Sequence, residues 1–223
     1  MGVGMAKFVF FQNIWVEIPA IMQFFAILKD AGHSCEAVVD IDGSVIKRII
    51  VARPDAVAFS IMTVQLSWFL RAVRRLREAG YGGFIIAGGI YLTFDRELIH
   101  IDGLDAICIG EVDTSILELV FVLDSGIVVM YVHNLIVKSG DEVVENPLAL
   151  FVMDLDGLLH MDRDVYGGYY FFRQIPIRLV VVSRGYPYIC LFCSNTSLIK
   201  MYLLNDRKWY RAKSFKNAVK KLT

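Results

Sequence analysis

Cys190 and Cys193 have the spacing in this chain that most directly suggests chemistry. Two thiols three residues apart can form a redox pair or supply half of a zinc site. They stand in Ser183-Arg184-Gly185-Tyr186-Pro187-Tyr188-Ile189-Cys190-Leu191-Phe192-Cys193-Ser194-Asn195, directly after the apolar run Ile177 to Val182, which reads as a buried strand. A second set of stretches is spread through the N-terminal half: Ser60-Ile61-Met62-Thr63, Gly88-Gly89-Ile90-Tyr91-Leu92-Thr93 and Gly110-Glu111. Each closes a short apolar run. A Gly-Gly pair lacks Cβ atoms, so it either lets the backbone approach a bulky planar ligand or makes a tight turn. Asp156, Asp162 and Asp164 read as caps and solvated loop carboxylates rather than a metal site.

The 183–195 stretch resembles the cluster loop of radical S-adenosylmethionine (SAM) enzymes, Ser-Arg-Gly-Cys-Pro-x-x-Cys-x-aromatic-Cys. The resemblance implies Cys190 and Cys193 as iron ligands of a [4Fe–4S] cluster and Phe192 as a contact to the adenine of SAM. Tyr186 stands where that family has its first cysteine. A phenol with a pKa of about 10 is a poor substitute for thiolate.

The N-terminal half resembles the cobalamin-binding domain of the radical SAM class that includes the anaerobic magnesium-protoporphyrin ester cyclase. It shares the Ser-x-Met-Thr, Gly-Gly-x-x-x-Thr and Gly-Glu strand ends. This implies cofactor contacts from Ser60, Met62, Thr63, Gly88, Gly89, Tyr91, Thr93, Gly110 and Glu111. The Asp-x-His-x-x-Gly pattern of other cobalamin modules is absent, and His33, His100, His133 and His160 lie outside it. The segments Asp154 to Leu158 and Met161 to Tyr166 resemble the linker of the same class. Lys208 to Val219 resembles the opening of its first barrel helix.

The elements that must position these residues follow from periodicity. Strands are expected at Phe8–Phe11, Cys35–Val39, Ala56–Ser60, Phe84–Ala87 and Ala106–Ile109. Helices alternate with them. One begins at Pro19 and ends at Gly32; another spans Val45 to Val51; a third has Leu66, Phe69, Leu70, Val73 and Leu76 on one face; a fourth runs from about Thr114, capped by Asp113 and stopped by Gly126. Five βα units predict an α/β fold, a flavodoxin/Rossmann-like parallel five-stranded sheet in the order 2-1-3-4-5, with ligands beyond the carboxyl ends of the strands. A hairpin follows, from Ile127 to Val137 and back through Glu142 to Val144 around Ser139-Gly140-Asp141. Gly167 to Phe172 is an aromatic patch that packs the linker. The expected division is 1–125 for the cobalamin-binding-like domain, 126–175 for hairpin and linker, and 176–223 for the first βα unit of a radical SAM barrel.

Composition narrows the function classes. Of 223 residues, 56% are hydrophobic, which suits a sheet buried on both faces. Basic and acidic residues number 23 each, so no general nucleic-acid surface is expected, and the basic C-terminal tail reads as a solvated or frayed helix. No apolar run of about 18 residues predicts a membrane span, and no signal peptide is expected. Four unevenly spaced cysteines suggest reduced thiols and a cytoplasmic setting.

Taken with the resemblance, the expected function is a cobalamin-dependent radical SAM enzyme or a fragment of one. Its chemistry would be reductive SAM cleavage, methyl transfer or radical chemistry. A barrel needs about 150 further residues, so a separate chain supplying them is an implied partner. The alternatives are a non-catalytic corrinoid-binding or vestigial module, favoured by Tyr186 and the missing barrel, and a truncated gene product.

Overall fold

Lys7–Gln12 (β1) places Phe8 and Phe10 on one face and Val9 and Phe11 on the other, and all four are buried. Successive strand residues face opposite sides, so a run buried at every position needs cover on both. The computed structural model, which describes residues 5–40, 44–125, 129–202 and 209–219, supplies that cover. After β1 come α1 (Pro19–Asp30), β2 (Ser34–Val39), α2 (Val45–Ala52), β3 (Ala56–Ser60), α3 (Leu66–Glu78), β4 (Phe84–Gly88), α4 (Ile90–Phe94), β5 (Ala106–Cys108) and α5 (Ser115–Ser125). The five strands are parallel in the order 2-1-3-4-5, as the alternating pattern predicts.

Two cores result. Phe8, Phe10 and Ile86 pack with Met22 and Leu28 of α1 and Leu119 of α5. Val9, Phe11, Val57 and Ile85 pack with Ile49 of α2 and Phe69, Val73 and Leu76 of α3. Leu70, expected on the buried face of α3, is instead exposed, and Ala72 is buried. At 100° per residue Leu70 lies past the edge of a face centred on Phe69, Val73 and Leu76.

The hairpin joins the same sheet. Leu135–Ser139 (β6) runs antiparallel to β5, and Glu142–Glu145 (β7) pairs with β6 as the outer strand. The first hairpin strand starts at Leu135 rather than near residue 127, because Asn134 takes a left-handed φ of 64° and breaks the extended run. Gly126 and Ile127 lie outside the described residues, as do Lys208, Lys220 and Lys221.

The linker returns over the first core. Tyr166 and Phe172 are buried in it, and Trp15 meets Tyr169, Phe171 and Phe172 at ring distances of 5.0–5.7 Å. The Val39 N–H, at the outer edge of β2, donates to the Tyr169 hydroxyl at 2.8 Å. Asp154 and Asp162 cap 3-10 turns, Asp162 also meets Lys29, and Asp156 accepts from the Ser214 N–H, so these acids act as caps and ties.

The last elements are α6 (Tyr170–Gln174), β8 (Ser183–Arg184), α7 (Ser194–Met201), β9 (Arg211–Ala212) and α8 (Phe215–Val219). Ile177 to Val182, expected to be a buried strand, has no strand pairing, and Ile177, Leu179 and Val182 are exposed. A strand of a parallel sheet needs a hydrogen-bonding neighbour. Among the described residues only the two-residue pairing of β8 with β9 lies next to this run.

Candidate functional site

The carboxyl ends of β3, β4 and β5 converge. Ser60 is the last residue of β3 and pairs with Gly88 of β4. The Ile61 N–H donates to Gly88 O at 2.8 Å. Gly89 has φ 103° and ψ 175°, a conformation essentially confined to glycine, and a Cβ there would lie 2.6 Å from Ile61 O and 2.7 Å from Ile61 N. The close approach that demands this glycine is to the Ile61 backbone just past β3, not to an open ligand space. Thr93, buried, links two loops: its Oγ1 donates to Gly89 O at 3.0 Å and accepts the Gly110 N–H at 3.2 Å. Met62 and Thr63 sit on the exposed rim. The Tyr91 hydroxyl donates to the Asp95 carboxylate, which raises the Tyr91 pKa.

Several hollows open here, two of them at the ends of β3 and β4. A cavity of about 140 Å³ runs under Ser60 and Gly88, walled by Phe10, Phe24, Ala58 and Cys108. Beside it a cleft of about 380 Å³ lies between Gly89, Thr93, Gly110 and Glu111 on one side and Gly185 and Tyr186 on the other. Met62, Val64, Ile90 and Phe94 are exposed apolar residues near these strand ends. None of the four histidines lines either hollow.

The loop that carries Cys190 and Cys193 is well supported. The Gly185 φ is 76°, and a Cβ there would collide with the Trp209 carbonyl oxygen. The Asn195 amide donates to the carbonyl oxygens of Tyr186 and Tyr188, and the Trp209 indole N–H donates to Asn195 Oδ1 at 2.5 Å. Tyr186 and Tyr188 meet edge-on at 5.5 Å. Phe192, 96% exposed, and both cysteines lie outside the two hollows. The predicted site residues therefore form one group at the strand ends, with the cluster-loop residues 190–193 apart from it.

Four charged side chains join the two groups. Glu111 meets Arg211 Nη2 at 2.6 Å and Arg184 Nη1 at 3.3 Å, and Arg184 binds both Asp113 oxygens at 2.6 and 2.9 Å. Desolvation works against the Arg184 charge, but the Asp113 hydrogen bonds and charge outweigh it and raise its pKa. Arg211 was expected on a solvated tail; instead it is 5% exposed and lies 4.2 Å over the Phe151 ring. The Glu111 carboxylate on the loop after β5 draws it in. Asp113, expected as the α5 cap, gives both oxygens to Arg184. Asn134 and Tyr202 were not singled out from the sequence. Asn134 donates to Ile109 O and Glu111 O, and the Tyr202 hydroxyl accepts the Glu111 N–H at 2.8 Å. Only the Asn134 left-handed turn has a sequence signal, since asparagine tolerates that conformation.

Comparison with known proteins locates this geometry. Residues 18–120 match the B12 binding domain family. That segment runs from the start of α1 into α5 and includes the ends of β3, β4 and β5. Across 213 residues the chain is 26% identical to the anaerobic magnesium-protoporphyrin IX monomethyl ester cyclase of Rubrivivax gelatinosus, covering 85% of this chain and 37% of that protein. It is 26% identical over 152 residues to an uncharacterized methyltransferase of Pyrococcus horikoshii, covering 64% and 32%. The chain thus spans about a third of these relatives. Among solved structures, the cobalamin-dependent SAM radical enzyme OxsB with aqua-cobalamin and SAM bound superposes with a TM-score of 0.74 at 17% identity, over 99% of this chain and 31% of that one. The radical SAM methyltransferase TsrM of Kitasatospora setae, with tryptophan and a SAM analogue bound, gives 0.70 at 14% identity, over 97% and 44%. At these identities the likeness establishes the fold. That likeness of fold extends past the family-matched residues 18–120 to nearly the whole chain. No helix among the described residues is long and apolar enough to cross a membrane.

The donor sets differ in how they suit the implied groups. The apolar cavity and the exposed apolar rim suit an apolar ligand face. For a three-thiolate cluster the residues do not fit. Among the described residues no group of three His, Cys, Asp or Glu side chains could hold a metal, and Tyr186 fills the third place.

Proposed function

We propose that this chain is a corrinoid-binding module of the cobalamin-dependent radical SAM type, with a cluster loop that does not hold a three-thiolate cluster. The convergence of Ser60, Gly88, Gly89 and Gly110 on one apolar cavity, within the family-matched segment, carries this reading. Cobalamin, when bound, supplies a cobalt centre able to carry a methyl group. The chain's own part is to hold it: the cavity walls take apolar edge, Thr63 and Tyr91 offer hydroxyls, and Met62 and Ile90 cover a face. Glu111 has no charge to spare for a ligand, because Arg211 and Arg184 occupy it; its role is to fix the β5 loop. Residues 1–125 form the binding unit, 126–175 the hairpin that extends its sheet and the linker, and 176–223 the barrel opening.

The test is direct. Purified protein is incubated with hydroxocobalamin and gel-filtered. Co-elution of protein and corrinoid absorbance near one to one is expected; a colourless protein overturns the proposal. Replacing Ala58, on the cavity wall, with Phe should weaken retention at least tenfold.

A second reading, part of a catalytic radical SAM protein, has one observation in its favour. The scaffold around the cluster loop is intact, from Gly185 against Trp209 to Asn195 beneath Tyr186. If Tyr186 alone separates the loop from cluster binding, its replacement by cysteine should restore it.

A further inference from the structure

Cys190 and Cys193 sit at the two ends of one turn. The Cys193 N–H donates to Cys190 O at 3.1 Å, and the Thr196 Oγ1 donates to the same oxygen at 2.9 Å. The Thr196 N–H in turn bonds Cys193 O at 3.1 Å, which ties the turn to the start of α7. A turn closed by this bond keeps its end Cα atoms within about 7 Å. Disulfides usually span Cα separations of about 4.4–6.8 Å. Leu191, at the centre of the turn, is 100% exposed, Phe192 is 96% exposed and both cysteines are partly exposed, so a small reagent can reach the pair. The other two cysteines contrast with them. Desolvation pushes the thiols of Cys35 and Cys108 up to about 12, leaving them protonated and unreactive at neutral pH.

With Tyr186 in place of a third thiolate, no group of three metal-ligating side chains includes the two cysteines among the described residues. We propose that Cys190 and Cys193 form a reversible dithiol–disulfide pair, oxidised by small-molecule disulfides of the glutathione class. One thiolate attacks a sulfur of the oxidant, forming a mixed disulfide and releasing one small thiol. The other thiolate then attacks the protein sulfur of that mixed disulfide, closing the Cys190–Cys193 bond and releasing the second thiol. Two electrons pass from the two cysteines to the sulfur–sulfur bond of the oxidant. The two cysteine protons end on the released thiols. Closure consumes both thiolates of the loop, so the oxidised form offers iron no sulfur ligand there.

The test uses the reduced, natively folded chain and oxidised glutathione, with N-ethylmaleimide trapping followed by intact mass and peptide mapping. The expected product has a Cys190–Cys193 disulfide and no retained glutathione, and Cys35 and Cys108 become alkylated only after denaturation. Cys193→Ser should retain one glutathione on Cys190. Wild-type protein that retains two glutathiones, that keeps both thiols free, or that links to a second chain overturns the proposal. Hydroxocobalamin uptake by the reduced and oxidised samples reports separately on the corrinoid reading and should be the same in both.

Discussion

Arg211 Nη2 lies 2.6 Å from Glu111 Oε1, although the two residues are 100 positions apart. Their side chains are 3% and 17% exposed. The same guanidinium donates to Val152 O at 2.6 Å and to Trp209 O at 3.1 Å. Removing one partner of a buried pair leaves the other charge unmatched and costs about 3–5 kcal/mol. Arg184 remains beside Glu111, which softens the loss. Arg211→Met should therefore lower unfolding free energy by about 3 kcal/mol in urea titration. A change below about 1 kcal/mol would mean that the pair does not fasten the β5 loop to the C-terminal segment.

Gly89 and Gly32 separate two costs of adding a methyl group. Both have positive φ, 103° and 87°, but only Gly89 faces backbone, while the Gly32 direction is open. Gly32→Ala should cost about 1–2 kcal/mol from left-handed strain. Gly89→Ala adds a collision with Ile61 to a conformation costing about 1–3 kcal/mol by itself, so it should cost clearly more. Thermal unfolding of both variants makes the comparison; equal losses would refute the contact with Ile61.

Tyr166 is 1% exposed, and its hydroxyl has two jobs. It donates to Gln12 Oε1 at 2.9 Å and accepts the Ile18 N–H at 3.0 Å. Tyr166→Phe keeps the ring and strands both partners. The expected loss is about 1–3 kcal/mol by denaturant titration. Loss of the hydroxyl also frees the loop before α1, and faster amide exchange at Ile18 should follow.

High pH should destabilise the fold in a defined window. Desolvation raises the Cys35 and Cys108 thiols from about 9 to about 12, and raises Tyr81 and Tyr166 in the same direction. The folded chain then holds these protons where the unfolded chain has released them. Stability is fully present below about pH 9 and is lost as pH rises from about 9 to about 12. Each thiol contributes a slope of up to about 1.4 kcal/mol per pH unit. Cys108→Ala should flatten the curve by one such share; an unchanged slope would show that Cys108 titrates normally.

Anaerobic reconstitution with iron and sulfide, comparing wild type with Tyr186→Cys, isolates the residue that departs from the cluster-loop pattern. A SAM-responsive cluster chromophore is expected only in the variant. Equal chromophores would show that Cys190 and Cys193 suffice.

The sheet was readable because its strands are short apolar runs buried on both faces, and because Pro19 and Gly32 punctuate α1 in the usual way. Phe8 to Phe11 could hardly be anything else. Apolarity misled at Ile177 to Val182, since the same composition serves a paired strand and an exposed segment; hydrogen-bonding neighbours decide, and they are distant in sequence. Tail arginines look alike in sequence, yet Arg211 is buried and saturated. Its partner Glu111 was seen, but as a ligand contact. Likewise Gly89 was noticed for its missing Cβ, whereas the group it accommodates, the Ile61 backbone, is a feature of strand packing that no motif spells out.

Tyr169 satisfies the Val39 N–H from 130 residues downstream. A ribosome adding about 5–20 residues per second therefore leaves the outer margin of β2 uncovered for on the order of ten seconds. During that interval the nascent sheet presents a free backbone edge to neighbouring polypeptides. The aromatic linker thus acts as a late closure in biosynthesis, and the window it closes is when nascent chains are most open to chaperone capture or to pairing with one another.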